Sequence, residues 1–494
     1  MNLLSIQGRI IRKSDPGFEA AVLATLFNKR EPGRRPDMMV LPKNVDDVIA
    51  TLRYAKSVGQ KVSVCSGGHS WSANHLREGS ILINMKGFNQ MEVNREAMTA
   101  TAGPGVGGSV LLTALFKQGL FFPAGHCKGV CIGGYLLQGG FGWHGRRLGM
   151  ACESVLGLDI VTADGELLHA SPSENADLYW AARGSGGGFF GVVVRFHLRL
   201  HPRPKYSGMM MHAFGMKHLE DVFRWAYEVG PSIPDTVEFQ MLTSRKTLSF
   251  FGPGIEAAAP IFADTKDELH EAVAFMKNSP IKSKAYFRTP FVEIGMGLMY
   301  SFAMTHYPYQ HCWGVDNMWT GASIDDLMPY LKGMADTLPP PPAHILWLNW
   351  QPPVQRPDMA FSMEDKIYIA LYGSWKSPAD TPQYGPWATD WMRQMEHLAT
   401  GIQLADENLH HRPARFVADP NLQKLDAVRA QRDPAGHGLR EHREDDVTRG
   451  LATDGGREVR HERHRDEDED AEDAKESSEE GAKSHQSTCP EGKL

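Results

Sequence analysis

Two glycine-rich loops constrain the fold of this chain more than any other part of its sequence. Residues 61–70 begin with the alternation of a short strand, break at a glycine pair and present His69 on the turn. Residues 121–142 carry Cys127 between a turn-forming Pro-Ala-Gly sequence and two further glycine pairs. Paired glycines let backbone amides come close to a flat or anionic group. The sequence therefore predicts two potential nucleophiles on loops that border a ligand.

Each of the two residues also has an ordinary structural explanation. A histidine in a loop is usually solvated or hydrogen-bonded, and a cysteine beside glycines is usually a small buried apolar residue. Metal binding is a further alternative, but Cys127 and Cys131 form a C-x3-C spacing with no matching second pair. Taken singly, neither His69 nor Cys127 identifies a function, and we predict no metal site.

Five sequence segments follow one another in an order that is typical of one family. They are VCSGGHSW, ILINMKGFNQMEV, FFPAGHCKGVCIGG, GGFGWHGRRLGM and the run from LDIVTADGELLHA to GVVVRFHLRLHP. Together they resemble the FAD-binding domain of the berberine bridge enzyme-like flavoproteins, within the vanillyl-alcohol oxidase (PCMH-type) superfamily, and the resemblance spans about residues 33–436. It implies an α+β fold, with a PCMH-type FAD-binding domain plus a substrate domain whose antiparallel β-sheet is covered by helices.

The resemblance also implies a covalently bound FAD. The family's tethering histidine and cysteine fall on His69 and Cys127, which would bond the 8α-methyl group and C6 of the isoalloxazine ring. Both residue types become good nucleophiles once they are deprotonated. Further cofactor contacts are implied for residues of the same loops and of a later strand: Ser66, Gly67, Gly68, Ser70, Gly125, Gly133, Gly134, Val192 and Val194.

Another glycine motif has a different interpretation. Gly103, Gly105 and Gly108 match G-x-G-x-x-G between a predicted strand and a predicted helix. A dinucleotide-binding Rossmann motif needs an acidic residue about 20 positions later. Residues 109–152 contain neither Asp nor Glu. We therefore interpret these glycines as a turn near the FAD phosphates or as a plain strand-to-helix corner.

The chain of 494 residues divides into four predicted parts. Residues 1–204 are predicted to form the FAD-binding domain, with its core at about 33–203, and residues 205–400 the substrate-binding domain. Residues 401–436 are predicted to return to the FAD-binding domain. Residues 437–494 have no aromatic side chain and few aliphatic ones, so we predict a disordered acidic tail.

Local patterns near the N-terminus predict helices and strands. Residues 1–32 have apolar residues at near-helical spacing, which predicts a leading helix containing Phe18, Val22, Leu23 and Leu26. A strand, a helix and a second strand are predicted next, with Asn44 as the N-cap of the helix and Gly59 at its end.

Charge and composition limit the partners that this chain can have. The formal charge of −7 is concentrated in residues 437–494, which carry −8 and leave the remaining chain at +1. This distribution argues against nucleic-acid binding. No apolar run approaches the length of a membrane span, and no signal peptide is recognisable. Six sparse cysteines fit a reduced environment, so we predict a cytoplasmic protein without membrane partners.

The predicted function is oxidation of a small molecule by a bound flavin. By resemblance, the residue three positions after the tethering cysteine controls oxygen access, and valine there is typical of oxidases whereas bulkier residues are typical of dehydrogenases. This chain has Val130, which indicates an oxidase of an alcohol, a sugar or a secondary metabolite with molecular oxygen as partner. A dehydrogenase with another electron acceptor and a catalytically idle flavin-binding protein remain the alternatives.

The catalytic base is the least determined part of the predicted site. The family often uses Glu or Tyr on a strand that faces the flavin, and strand alternation groups Tyr368 with Tyr372 on one face. Either tyrosine is a candidate base, although aromatic residues on strands more often serve packing. Trp71 occupies a position where the family often has tyrosine, and it has no phenolic proton to donate.

Overall fold

The computed structural model describes residues 3–249, 251–434 and 436, with the side chains of Leu4 and Ser249 left out of the description. The predicted tail, residues 437–494, lies outside the described residues. The part of the chain up to residue 204 contains β1 (Arg9–Arg12), α1 (Phe18–Leu23), β2 (Met38–Leu41), α2 (Val45–Val58), β3 (Val62–Cys65), β4 (Ile81–Asn84), β5 (Met91–Asn94), β6 (Thr99–Ala102), α3 (Gly108–Lys117), β7 (Leu120–Phe121), α4 (Ile132–Leu137), α5 (Gly145–Leu148), β8 (Val155–Thr162), β9 (Leu167–Ala170), α6 (Ala176–Ala182), β10 (Gly191–Arg199) and β11 (His201–Pro202).

The first sheet has the strand order β1-β2-β4-β3. The predicted strand, helix and strand are confirmed as β2, α2 and β3. The Asn44 side chain accepts a hydrogen bond from the Asp47 backbone N–H at 2.9 Å, and Gly59 ends α2 in the left-handed conformation with φ of 69°.

The predicted leading helix is wrong for most of its length. Residues 9–12 form an edge strand that pairs antiparallel with β2, and helix α1 covers only six residues. The carboxylate of Asp47 accepts the backbone N–H groups of Gln7 and Gly8, which fixes the chain in front of β1. Long-range pairing therefore overrides the local helical spacing in this region.

A second, antiparallel sheet has the order β5-β6-β10-β8-β9. Asp164 and Gly165 lie in the turn that joins β8 and β9 into an antiparallel hairpin. The helix predicted after Gly108 is confirmed as α3. At the strand-to-helix corner after β6, a Cβ on Gly105 would lie 2.6 Å from the carbonyl oxygens of Met85 and Lys86. Glycine is required there by close backbone packing, so the corner interpretation of this motif holds.

The largest sheet belongs to the second half of the chain. Its strands follow the order β15-β12-β14-β13-β18-β19-β17, with β16 also pairing with β12. The elements of this half are β12 (Tyr206–Gly215), α7 (Leu219–Val229), β13 (Gln240–Ser244), β14 (Gly254–Ala263), α8 (Lys266–Lys277), β15 (Ala285–Arg288), β16 (Val292–Glu293), α9 (Met296–Ala303), β17 (Cys312–Thr320), α10 (Ile324–Asp336), β18 (His344–Asn349), β19 (Ile367–Trp375), α11 (Thr381–Tyr384), α12 (Trp387–Gln394) and α13 (Asp419–Arg432).

The two faces of this antiparallel sheet have different neighbours. One face packs against α7, α8, α10 and α12 in a large apolar core that includes Trp347. The other face carries Leu346, Leu348, Tyr368 and Tyr372, which pack with Trp71 from the first half of the chain. The α+β fold and the helix-covered antiparallel sheet are confirmed. Within the described residues, no helix has both the length and the apolar character needed to cross a bilayer.

Candidate functional site

A cavity of about 340 Å³ lies between the large sheet and the two glycine-rich loops. This volume is within the range of about 300–1,000 Å³ typical of ligand and cofactor sites. The cavity brings together nearly all of the residues that the sequence predicted: Ser66, Gly67, Gly68, His69, Ser70, Gly125, Cys127, Val130, Gly133, Gly134, Val192, Tyr368 and Tyr372. Val194 lies elsewhere, because it packs in an apolar cluster with Val40 and Ile83.

The loop after β3 fixes His69 at the cavity wall. Gly68 adopts φ of 70°, and a Cβ there would lie 1.8 Å from the carbonyl oxygen of Thr25, so only glycine fits. The His69 imidazole stacks on Phe27 with ring centroids 3.9 Å apart. Its Nε2 is buried and has no hydrogen-bond partner. Burial lowers the pKa of His69 to about 4, so the imidazole is neutral near pH 7.

Cys127 lines the same cavity as an uncharged thiol. Burial, and secondarily the negative charge of Asp406, raises the pKa of the Cys127 thiol to about 12. Its sulfur is therefore protonated near pH 7, and any bond that it forms requires removal of this proton.

Asp406 is the one carboxylate among the described residues that line the cavity. Its Oδ1 accepts a hydrogen bond from Trp71 Nε1 at 2.7 Å. Its Oδ2 accepts hydrogen bonds from the hydroxyl groups of Tyr368 at 2.5 Å and Tyr372 at 2.8 Å. Burial raises the pKa of Asp406, and the three hydrogen bonds oppose this shift because they stabilise the carboxylate.

The two predicted tyrosines thus act as donors to a neighbouring acid. Burial and the adjacent carboxylate raise the pKa of Tyr368 and of Tyr372 well above the ordinary value for tyrosine. Neither phenol ionises near neutral pH, whereas the carboxylate between them ionises far more readily. Trp71 supplies its indole N–H to the same group, which is a role that the sequence alone did not indicate.

The segment after β19 is held so that Asp406 faces the cavity. Asn317 on β17 donates from Nδ2 to the Asp406 carbonyl at 2.8 Å and accepts the Gln403 backbone N–H at 2.7 Å. The next residue, Glu407, accepts hydrogen bonds from the side chains of Ser72 and Asn74. Two consecutive acids therefore connect this segment to the loop that carries His69.

A third acidic side chain, Glu238, holds the cysteine-bearing loop in place. Glu238 is buried and accepts a hydrogen bond from His126 Nε2 at 3.0 Å, assigned with the proton on Nε2, and also accepts the His144 backbone N–H. His126 directly precedes Cys127 and stacks edge-on against Trp143 with centroids 4.4 Å apart. These contacts fix the loop from which Cys127 reaches the cavity.

Asp406, Glu407 and Glu238 were missed in the sequence because they lie outside the recognisable glycine motifs. Their partners in the first half of the chain are between 94 and 335 residues away. The one available indication was the Asp-Glu pair at 406–407 in a segment already expected to return to the first domain.

Comparisons with known proteins agree with this arrangement. Residues 36–171 match the FAD binding domain family. The chain is 31% identical to the FAD-linked oxidoreductase nodO of Hypoxylon pulicicidum over 426 residues, which covers 83% of this chain and 91% of the relative. The chain belongs to the berberine bridge enzyme-like FAD-linked oxidoreductases. FAD is therefore the cofactor of this family member, and its substrate is a small molecule.

Solved structures show the same fold for this oxidoreductase. BBE-like 1 of Physcomitrella patens matches with a TM-score of 0.77 at 21% identity, covering 89% of this chain and 97% of the other. The grass pollen allergen Phl p 4.0202, described as a glucose dehydrogenase, matches with a TM-score of 0.72 at 18% identity, covering 87% and 95%. A Phl p 4 variant with one isoleucine-to-valine substitution is described as a glucose oxidase.

The cavity residues fit an FAD molecule. His69 lines the cavity and its buried Nε2 has no hydrogen-bond partner within the protein, and the glycines of both loops border the same space, where they allow close approach of a ligand. Aromatic and aliphatic side chains of the large sheet form the facing wall, where a flat ring system and an organic substrate can pack.

Proposed function

We propose that this oxidoreductase is an oxidase that converts an alcohol group of a small organic molecule into a carbonyl. The observation that carries the proposal is the buried Asp406 carboxylate, which accepts three hydrogen bonds in the same cavity as His69 and Cys127. A single basic group that faces a cofactor cavity is what proton removal from a substrate hydroxyl requires.

Asp406 acts as the general base in this proposal. It takes the hydroxyl proton of the substrate while the carbon–hydrogen bond breaks, so the substrate loses one proton and one hydride and becomes a carbonyl compound. FAD, when bound, supplies the acceptor for the hydride. Trp71, Tyr368 and Tyr372 hold the carboxylate in one orientation, which reduces the cost of ordering it during the reaction.

We further propose that His69 and Cys127 both form covalent bonds to FAD. Each bond replaces one C–H bond of the flavin and the N–H or S–H bond of the side chain, and the two protons and two electrons released reduce molecular oxygen, the proposed acceptor, to hydrogen peroxide. His69 is neutral and its Nε2 is unpartnered, so this imidazole presents a nucleophilic nitrogen at neutral pH. Cys127 must first lose its proton, which burial and the negative charge of Asp406 both oppose. The seven other predicted loop contacts, from Ser66 to Gly134, are proposed to line the bound cofactor, as is Val192.

Molecular oxygen is the proposed electron acceptor, with hydrogen peroxide as its product. Val130 lines the cavity, and a Cβ on Gly125 would lie 3.7 Å from Val130 Cγ1, so this side chain fills the space beside the cysteine loop. In Phl p 4, a change from isoleucine to valine accompanies the change from glucose dehydrogenase to glucose oxidase. The same relation between side-chain size and oxygen use is proposed for Val130.

A panel of alcohols, oligosaccharides, phenols and alkaloids tests this proposal under anaerobic conditions. We expect at least one compound to bleach the flavin absorbance, and admission of air to restore it with formation of hydrogen peroxide. Bleaching without rapid reoxidation would instead establish a dehydrogenase. A flavin that dithionite reduces but no compound of a broad panel reduces would favour an idle flavin-binding protein.

The Val130→Leu variant gives a matched test of oxygen access. The added methylene narrows the space at the cavity wall, so we expect slower reoxidation by air with little change in the rate of anaerobic reduction. Stopped-flow absorbance measures the two half-reactions separately. Equal reoxidation rates in wild type and variant would contradict the role of Val130.

A further inference from the structure

Three side chains that commonly ligate metals converge on the sheet that contains β8, β9 and β10. Asp159 lies on β8, His169 on β9 and His197 on β10. His169 Nδ1 is 2.8 Å and His197 Nε2 is 3.1 Å from the same oxygen, Asp159 Oδ1. Solvent reaches all three, because their side chains are 24–40% exposed. This cluster is separate from the catalytic cavity and has no part in the proposed reaction.

The strand register places these groups on one face of the sheet. Asp159 stands directly opposite His169 across the β8–β9 pairing, and His197 stands opposite Gly157, two residues from Asp159 on β8. On one face, directly opposite residues lie about 4.5–5.5 Å apart at Cβ and diagonal neighbours about 7–8 Å apart, so the backbone holds His169 beside Asp159 and His197 diagonally across from it. Little conformational entropy is then lost when they bind a common ligand.

Gly157 creates the space that the His169 imidazole occupies. A Cβ at this position would lie 3.1 Å from His169 Cε1 and 3.2 Å from His169 Nε2, closer than ordinary van der Waals contact. The two rings meet edge to face with centroids 5.2 Å apart. Any side chain on Gly157 would therefore shift the His169 ring by at least a few tenths of an ångström relative to Asp159.

We propose that Asp159, His169 and His197 form a binding site for a divalent late transition-metal ion such as Zn²⁺. Two imidazole nitrogens and one carboxylate oxygen form the donor set that Zn²⁺, Co²⁺, Ni²⁺ and Cu²⁺ prefer, whereas Mg²⁺ and Ca²⁺ prefer oxygen donors. All three ligand atoms lie within 4.8 Å of one another. Tetrahedral Zn²⁺ needs about 3.3 Å between donor atoms, which small side-chain rotations supply.

Metal binding changes the hydrogen bonds of the cluster but keeps its protein partners. The ion takes the place of the hydrogen atoms between the two imidazoles and Asp159, and each neutral imidazole then carries its proton on its other ring nitrogen. Water completes the coordination of the ion. Arg195 is the cation on this face, with Nε 3.9 Å from Asp159 Oδ2 and a side chain that is 59% exposed. Its exposed guanidinium is free to turn toward solvent when a second positive charge enters.

The site would join three strands, one of which also borders the cofactor cavity. Strand β10 contributes Val192 to the cavity and His197 to the cluster. An ion that binds the folded chain stabilises it in proportion to its affinity and concentration. The proposed site is therefore structural, and metal is expected to raise the thermal midpoint without taking part in substrate oxidation.

Calorimetric titration with ZnCl₂ tests the site in the full chain after treatment with a chelator. Residues 437–494 contain five histidines and 18 acidic residues, which can also bind zinc. This background is the same in all variants of identical length, so it cancels when their isotherms are compared. We expect wild type to bind one equivalent more than a His169→Ala/His197→Ala double variant. His218→Ala, which alters a different surface histidine beside an aspartate, serves as the control and should match wild type.

The Gly157→Ala variant tests whether zinc binding depends on the positions of the ligands and not only on the number of histidines. It keeps all three ligands but displaces one ring, and we expect zinc affinity to fall at least about tenfold. Flavin absorbance and the zinc-free thermal midpoint verify that each variant is folded. Superimposable zinc isotherms for wild type and the double-histidine variant would overturn the proposal.

Discussion

Replacing Asp406 by asparagine is expected to slow anaerobic reduction of the flavin by substrate about 10²–10⁴-fold, the range typical for loss of a general base. Asparagine keeps the size of the side chain and accepts hydrogen bonds from the tyrosines, but it cannot accept a substrate proton. The substitution removes the one carboxylate among the described residues that line the cavity. Stopped-flow absorbance with a substrate identified in the panel measures the rate.

Tyr372→Phe and Tyr368→Phe are the matched controls for this prediction. Each removes one hydrogen bond of 2.8 Å or 2.5 Å to Asp406 but leaves the carboxylate in place. We expect losses of about tenfold or less, which correspond to one hydrogen bond. A larger loss in Tyr372→Phe than in Asp406→Asn would transfer the role of base to the tyrosine that the sequence first suggested.

The second large effect concerns the link between protein and cofactor. Acid precipitation of wild type is expected to leave all flavin in the pellet, whereas the His69→Ala/Cys127→Ala double variant should release it completely. Each single variant should retain the flavin through the remaining bond. Absorbance of the supernatant and the intact mass of the protein show independently whether the flavin stays attached, and the comparison of single and double variants gives the number of bonds.

Cys131→Ala is the matched control for the covalent bond. Cys131 lies four residues after Cys127 in the same loop and directs its thiol to the Gly105 carbonyl, with the sulfur 3.3 Å from that oxygen. Its removal should leave both bonds intact. Free FAD in the supernatant of acid-treated wild type would contradict the covalent attachment.

Most of the fold was predictable because its strongest sequence patterns are local. The Asn44 cap and the Gly59 terminus, for example, determine the two ends of α2 from a few adjacent residues. The helix predicted for residues 1–32 failed because its apolar spacing competes with pairing to a strand that lies some 30 residues later. Local periodicity carries no information about such a partner.

The candidate site was predictable only where its residues lie in motifs. His69 and Cys127 come from glycine loops with a recognisable order, and both line the cavity. Asp406 has no motif, and its role depends on Trp71, which lies 335 residues away. Tyr368 and Tyr372 were placed on the correct face by strand alternation, but their hydrogen-bond acceptor is visible only once the segment after residue 400 is folded against them.

The pH dependence of anaerobic flavin reduction tests the role of Asp406 most directly. Burial raises the pKa of Asp406, and only the ionised form accepts a proton, so the wild-type rate should fall as pH decreases through a value above the ordinary pKa of aspartate. Loss of a donor in Tyr372→Phe should move this decline to higher pH. The account predicts that Asp406→Asn is slow and lacks this decline; an Asp406→Asn enzyme with the wild-type rate and the same decline would contradict it.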